Sequence, residues 1–156
     1  MSELFPFAPN WATPIVERLE WLTDVITAQS DEEERIPLRA NPRKSLEMEF
    51  VVNEHDQRRM DALLWGWQTS EYDVPIWTDG QPLAAQLASG STTLPCITEG
   101  YPLTAPGRVI LWTDADTYEV VIYTAVNAGS LTVVATTDTW EAGTRFYPLE
   151  TGRVLD

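Results

Sequence analysis

Residues 109–126 read VILWTDADTYEVVIYTAV, which is two apolar runs on either side of the polar triplet DAD at 114–116. Both runs consist mainly of β-branched and aromatic residues, the types that fit a pleated and half-buried surface. A pair of such runs joined by a short polar segment is typical of a β-hairpin. The stretch therefore predicts two strands, at 109–113 and 118–126, that are joined by a turn.

Further β-rich runs follow at similar spacing, at 130–136 and 145–149, and short segments containing glycine separate them. Several short strands with turn residues between them indicate a small barrel or sandwich. The segment 90–107 is rich in Gly, Pro, Thr and Ser, which favours a domain boundary there. We predict a small all-β, barrel-like domain over residues 96–156.

Strands are also predicted upstream. In the run SLEMEFVV at 45–52, apolar residues alternate with glutamate, as in a sheet with one solvated face. The run at 16–27 admits two structures, because alternation places Leu19 and Trp21 on one face of a strand while a helical period groups Leu19 with Leu22. Since β-branched and aromatic residues dominate its apolar set, the strand is favoured.

One helix is predicted at 53–68. Asn53 is a good N-cap, and acidic residues in the first turn suit the positive end of the helix dipole. An apolar stripe with helical spacing is available for packing on a sheet; it consists of Met60, Leu63, Leu64 and Trp67. We therefore predict a mainly β fold, with a β-sandwich and one packed helix over residues 1–95 followed by the barrel-like domain.

An extended arm is predicted at 4–14, because this segment carries three prolines, which fix extended backbone and withhold hydrogen-bond donors. Phe5, Phe7 and Trp11 lie on the arm and need a surface to cover them. That surface belongs either to the same subunit or to a neighbour.

Composition excludes several classes of site. The chain has a net charge of −14, one cysteine and one histidine. A single Cys96 excludes an internal disulfide or a cysteine zinc cage, and a single His55 excludes motifs that need two histidines. Nucleotide-binding glycine loops and the nucleophile elbow are missing from the sequence. We expect a protein that is not an enzyme and has no cofactor or metal.

The charge and hydropathy also bear on partners. A strongly acidic chain does not offer the basic face with which proteins hold nucleic acid. No apolar run approaches the roughly 18 residues that a membrane helix needs, which predicts no membrane insertion. The N-terminal segment lacks the pattern of a secretory signal, so we expect synthesis in the cytoplasm. The seven tryptophans leave a carbohydrate-binding module open as an alternative function.

The ordered segments of the chain resemble minor tail and distal tail proteins of long-tailed bacteriophages and prophages. The resemblance is carried by PNWATP at 9–14, ERLEWLTDV at 17–25, ERIPLRANPRKSLEMEF at 34–50, RRMDALLWGWQ at 58–68, YDVPIWTD at 72–79, GRVILWTDADTYEVV at 107–121 and WEAGTRFYPLETGRV at 140–154. It implies a structural subunit of the tail tip or baseplate, located in the virion. Such subunits commonly form hexameric rings that join the tail tube to the tip and surround the DNA path.

Within such a ring, two groups of residues are candidates for function. The candidate subunit interface consists of the aromatic arm and a basic cluster, namely Phe5, Phe7, Trp11, Arg39 and Arg43. The arm and the cluster have no evident partner within a lone subunit. The candidate lumen residues are Glu32, Glu33 and Glu34, because an acidic wall lets DNA slide without binding it. The expected partners are further copies of the chain, other tail-tube and tail-tip proteins, and passing DNA.

Overall fold

The computed structural model describes residues 2–27 and 33–155. The chain divides into two compact units. We call residues 1–8 with 51–156 the main unit and residues 9–50 the ribbon unit. In the described part of the chain the fold is mainly β with one α-helix, which confirms the predicted fold class.

Twelve strands and one helix lie in the described residues. In chain order they are β1 (Glu3–Leu4), β2 (Val16–Glu20), β3 (Thr23–Thr27), β4 (Glu33–Pro37), β5 (Arg43–Glu47), α1 (Glu54–Leu64), β6 (Tyr72–Pro75), β7 (Gln81–Pro82), β8 (Thr93–Pro95), β9 (Gly107–Trp112), β10 (Tyr118–Asn127), β11 (Ser130–Val133) and β12 (Arg145–Gly152). A 3₁₀ turn, Trp77–Asp79, follows β6. No helix among these residues has the length and apolar character that crossing a membrane requires.

One eight-stranded sheet forms the main unit. Its order is β1-β6-β12-β9-β10-β11-β8, and β7 also pairs with β12. All of these pairs are antiparallel except β1 with β6. The predicted hairpin at its centre is confirmed, since Tyr118 of β10 lies opposite Trp112 of β9.

The predicted boundary between residues 95 and 96 is wrong. Strands β6 and β7 pair with β12, and β8 pairs with β11, so strands from both predicted domains belong to the same sheet. The Gly- and Pro-rich segment 90–107 contains β8, which pairs with β11 in this sheet. The segment therefore does not separate two cores. The division that the structure shows sets residues 9–50 apart from the rest.

The core of the main unit lies on one face of the sheet. Alternate residues of β9 and β10 supply it, and Val109 of β9 lies directly opposite Val121 of β10 in the ladder. The buried cluster consists of Leu83, Leu87, Leu94, Val109, Leu111, Val121, Tyr123, Leu131, Val133, Trp140 and Phe146. Cys96 packs against this cluster, and burial raises the pKa of its thiol.

The predicted helix is present but shorter than expected. The Asn53 side chain accepts a hydrogen bond from the Asp56 N–H at 2.9 Å, which is the predicted N-cap. The helix ends at Leu64, and Gly66, a poor helix former, follows in the turns that replace the predicted last turn. The carbonyl of Leu63 accepts a hydrogen bond from the Tyr72 hydroxyl at 3.0 Å, which joins this end of the helix to β6.

Candidate functional site

The ribbon unit consists of two antiparallel strand pairs nested along the chain. Strand β2 pairs with β5, and β3 pairs with β4. The predicted strand at 16–27 is thus interrupted at residues 21–22, where the Leu38 N–H donates a hydrogen bond to the Leu22 carbonyl at 2.9 Å. Each pair has only two strands, and none of the strand side chains that the structure describes in this unit is buried. Isolated two-stranded ribbons are marginally stable in water.

Large apolar side chains of the ribbon unit are exposed. Their exposed fractions lie between 37% and 63%, and they are Trp11, Val16, Leu19, Trp21, Leu22, Val25, Ile36 and Leu38. Of the side chains described in this unit, only that of Pro9 is buried. Exposed apolar surface, where it is contiguous, marks sites of protein interaction.

The basic cluster of the sequence lies on the same unit. Arg39 and Arg43 are exposed, and neither has an ion-pair partner within 4.0 Å among the described residues. By contrast, Lys44 pairs with Glu17 at 3.3 Å within the ribbon. The two arginines therefore remain available to a neighbouring molecule, and their place in an interface stays a prediction.

Phe5 and Phe7 lie elsewhere than expected. They are buried in their own chain, with exposed fractions of 7% and 3%, and their rings meet edge to face at 5.3 Å. The Phe5 N–H donates to the Asp73 carbonyl, and the guanidinium of Arg59 lies 5.7 Å above the ring of Phe7. The expectation that these two aromatics lack a partner within the subunit is wrong, because the arm continues β1 along β6. Of the arm's aromatics, Trp11 keeps most of its surface exposed.

The predicted lumen residues are only partly described. Glu32 lies outside the described residues. Glu33 and Glu34 belong to β4. The exposed Glu33 pairs with Arg35 at 3.4 Å, and the side chain of Glu34 lies outside the described part.

Asp73 forms a buried ion pair that the sequence did not indicate. Its carboxylate binds both terminal nitrogens of Arg108, one of them at 2.6 Å, and accepts hydrogen bonds from the hydroxyls of Ser2 and Thr151, each at 2.8 Å. Burial raises the pKa of the Asp73 carboxyl, but these hydrogen bonds and the Arg108 charge outweigh burial and leave the pKa below its ordinary value. The cluster therefore joins β6, β9, β12 and the N-terminal segment.

Glu119 is a second anchored carboxylate. It accepts hydrogen bonds from the Thr137 N–H at 2.6 Å, the Thr137 hydroxyl at 3.0 Å, the Asp138 N–H at 3.3 Å and the Trp140 indole at 2.8 Å. Burial raises the pKa of this carboxyl, and the four donors outweigh that effect, so that the pKa lies below its ordinary value. Its oxygens are occupied by donors that hold the segment before β12 in place.

Acid is expected to destabilise the main unit below about pH 4. Because folding lowers the pKa values of Asp73 and Glu119, both groups contribute their full stabilisation above the ordinary pKa. That contribution is lost as the pH falls through the folded-state values. Urea unfolding curves at a series of pH values measure the slope of the free energy of unfolding against pH. The double variant Asp73→Asn/Glu119→Gln should show a shallower slope, and an unchanged slope would contradict this origin.

A shallow polar depression of about 350 Å³ lies beside β1 and β6. It is lined by Glu3, Thr69, Ser70, Glu71 and Arg153. Arg153 and Glu71 form an ion pair at 2.9 Å across it. No tryptophan lines this depression, so it does not offer the stacked rings that a sugar site uses. Within the described residues, no three metal-ligating side chains come together.

The remaining tryptophans divide between core and surface. Trp77 and Trp140 are buried, and Trp112 is partly buried while its indole donates to the Pro6 carbonyl at 2.9 Å. Trp65, by contrast, is 91% exposed just after the helix. Comparison with known proteins adds no assignment, since neither the family models nor the curated proteins match this chain.

Proposed function

We propose that the chain is a non-catalytic structural subunit of a bacteriophage tail tip, which assembles with further copies into a ring between the tail tube and the tip. The observation that carries this proposal is the ribbon unit, whose described residues expose eight large apolar side chains. The resemblance of the ordered sequence segments to minor and distal tail proteins supplies the biological setting.

The physical argument starts from the cost of exposed apolar surface. Covering such surface contributes roughly 25 cal/mol per Å². A two-stranded ribbon that no other residues cover gains little of this stabilisation by itself. It becomes well ordered when another surface covers it. In an assembly, the neighbouring subunit covers the apolar surface of the ribbon and so provides the missing second layer.

The ring gives the ribbon unit a defined role. Contacts in a ring are heterologous, so the two surfaces that meet are different parts of the subunit. The ribbon unit supplies one of them, with Trp11 as its remaining arm aromatic and Arg39 and Arg43 as its charged groups. A hexamer, located in the virion and in contact with other tail-tube and tail-tip proteins, is the arrangement that the resemblance favours.

The anchored carboxylates support a structural role. Burial and hydrogen bonding shift the pKa values of Asp73 and Glu119, and such groups are candidates for catalysis when they face a cleft. Here their oxygens are taken up by donors of neighbouring strands and loops. They stabilise the sheet instead of facing a substrate.

Assembly is expected to depend on the exposed face of the ribbon. The double variant Leu19→Asp/Leu38→Asp should fold but fail to form rings or to enter tails, because a charge would be buried in the contact. Electron micrographs of the purified protein and of gold-labelled virions measure this outcome. The matched control is the double variant Ile97→Asp/Val154→Asp, which places the same two charges on exposed apolar positions of the main unit. Normal rings from the ribbon variant would contradict the proposal.

The DNA path of the ring is proposed to be acidic or neutral, with Glu32, Glu33 and Glu34 as its candidate lining. A basic wall would bind phosphates and retain the genome, whereas the net charge of −14 lets the duplex slide. We expect no duplex DNA binding by the purified protein in mobility-shift assays, even at low salt. Tight, salt-sensitive binding, or a positive inner wall in a map of the ring, would contradict this prediction.

A further inference from the structure

The donors that bind the Glu119 carboxylate all belong to one short segment of the chain. Oε1 accepts hydrogen bonds from the N–H and the hydroxyl of Thr137, and Oε2 accepts hydrogen bonds from the Asp138 N–H and the Trp140 indole. None of the ion pairs among the described residues includes Glu119, so neutral donors satisfy its charge. We call residues 136–140 the carboxylate loop.

The carboxylate loop is held in place by other hydrogen bonds. Trp140 and Leu87 exchange two backbone hydrogen bonds, each of 2.8 Å. At the other end of the loop, Thr136 donates its N–H to the Ser91 carbonyl at 3.1 Å, and its carbonyl accepts a hydrogen bond from the Gly90 N–H at 2.7 Å. None of these bonds involves the carboxylate. The surrounding backbone therefore orients the donors whether or not a carboxylate lies between them.

This arrangement lies at the margin of the core. Glu119 is on the same face of β10 as Val121 and Tyr123, because side chains alternate along a strand, and both of these belong to the buried cluster. Trp140 is 6% exposed, so water has little access to its indole. Glu119 is only partly buried, which leaves a route from solvent to the position of its carboxylate.

We infer that the carboxylate loop is a preformed binding site for a small carboxylate, which Glu119 occupies as an internal ligand. Hydrogen bonds to a charged acceptor are roughly twice as strong as those between neutral groups. A buried donor that is left without a partner is costly, so an emptied loop is stabilised when an anion binds it. Removal of the Glu119 side chain beyond Cβ therefore opens a site that a free carboxylate fills.

Formate is the carboxylate that matches the emptied site. Its two oxygens have the geometry of the side-chain carboxylate, and its single hydrogen takes the place of the methylene carbon that joins this group to Cβ. Acetate would bring its methyl group against the Cβ that remains in Glu119→Ala. Because formate has three non-hydrogen atoms, its binding free energy is limited, and we expect millimolar or weaker affinity.

Urea unfolding of Glu119→Ala in sodium formate tests the site. Formate should stabilise this variant saturably, and at ten times its dissociation constant it should raise the folding equilibrium constant about elevenfold. The indole N–H signal of Trp140 in NMR spectra should shift with the same midpoint. Sodium chloride at equal concentration controls for ionic strength. The wild type and Glu119→Gln, whose side chains fill the site, measure the general effect of formate and should show no saturable gain.

The Trp140 donor provides a second test. Trp140→Phe in the Glu119→Ala background removes the indole N–H and keeps an aromatic ring in the core. This change should weaken formate binding about tenfold or more, because a hydrogen bond to a charged group is lost. Unchanged formate affinity in the double variant would overturn the assignment of the carboxylate loop as the binding site.

Two further results would also overturn the inference. One is an equal response of Glu119→Ala and the wild type to formate, and the other is stabilisation without a shift of the Trp140 indole signal. If Glu119→Ala does not fold alone, formate and not chloride should restore its folded circular dichroism spectrum, and failure to do so would count equally against the site. These measurements use the isolated subunit, so their outcome is independent of ring formation and of the proposed function.

Discussion

Replacing Arg108 with methionine is expected to lower the free energy of unfolding by about 3–5 kcal/mol. The substitution keeps an unbranched side chain but leaves the Asp73 carboxylate buried without its counter-charge. The hydroxyls of Ser2 and Thr151 remain as donors, and they do not replace a cation. Chemical unfolding curves at neutral pH, followed by far-ultraviolet circular dichroism, measure the loss.

Arg153→Met is the matched control. Arg153 also pairs with a carboxylate next to β6, that of Glu71, but both side chains are more than half exposed. Its removal should cost less than about 1 kcal/mol. Combining Arg108→Met with Asp73→Asn should destabilise less than the sum of the two single changes, because no charge is left unpaired. Equal losses from Arg108→Met and Arg153→Met would contradict the importance of burial.

Phe7→Ala is expected to destabilise the main unit by about 3–5 kcal/mol. The phenylalanine is 3% exposed, so its removal leaves a cavity and deletes the contacts with Phe5 and with the Arg59 guanidinium. The effect should appear in the unfolding of the isolated subunit, measured by chemical denaturation at a protein concentration where no assembly occurs.

Trp11→Ala provides the opposite case on the same arm. Trp11 is 63% exposed, so the isolated subunit should keep its stability within about 0.5 kcal/mol. Its loss should instead reduce ring formation. If Phe7→Ala leaves the subunit's stability unchanged, the assignment of the arm's first aromatics to the core is wrong.

The parts of the fold that depend on neighbouring residues could be predicted from the sequence. The hairpin of β9 and β10 and the N-cap at Asn53 both follow from patterns within a few residues. The arm predicted from the prolines is extended where β1 pairs with β6, whereas residues 11–13 form a turn, closed by the hydrogen bond from the Thr13 N–H to the Asn10 carbonyl. Pairing over long separations could not be predicted in this way, and the wrong boundary at residue 95 arose because β6 and β12 meet across more than seventy residues.

The candidate site was predictable to a similar extent. The strands and charges of the ribbon unit can be recognised locally, including the exposed Arg39 and Arg43. Whether an aromatic residue is covered depends on a second layer, which sequence periodicity does not reveal; this is why Phe5 and Trp11 have opposite environments. The pair of Asp73 and Arg108 was missed because the two residues are 35 positions apart and neither belongs to a motif.

The position of β12 in the sheet has a consequence for the order of events during synthesis. This strand follows all the other described strands in the chain, yet it hydrogen-bonds to β6, β7 and β9. Strands β6, β7 and β9 therefore leave the ribosome before β12, with which all three pair. The ribbon unit, by contrast, is complete by residue 50. In a newly made chain the ribbon unit has therefore left the ribosome before the sheet of the main unit can be completed.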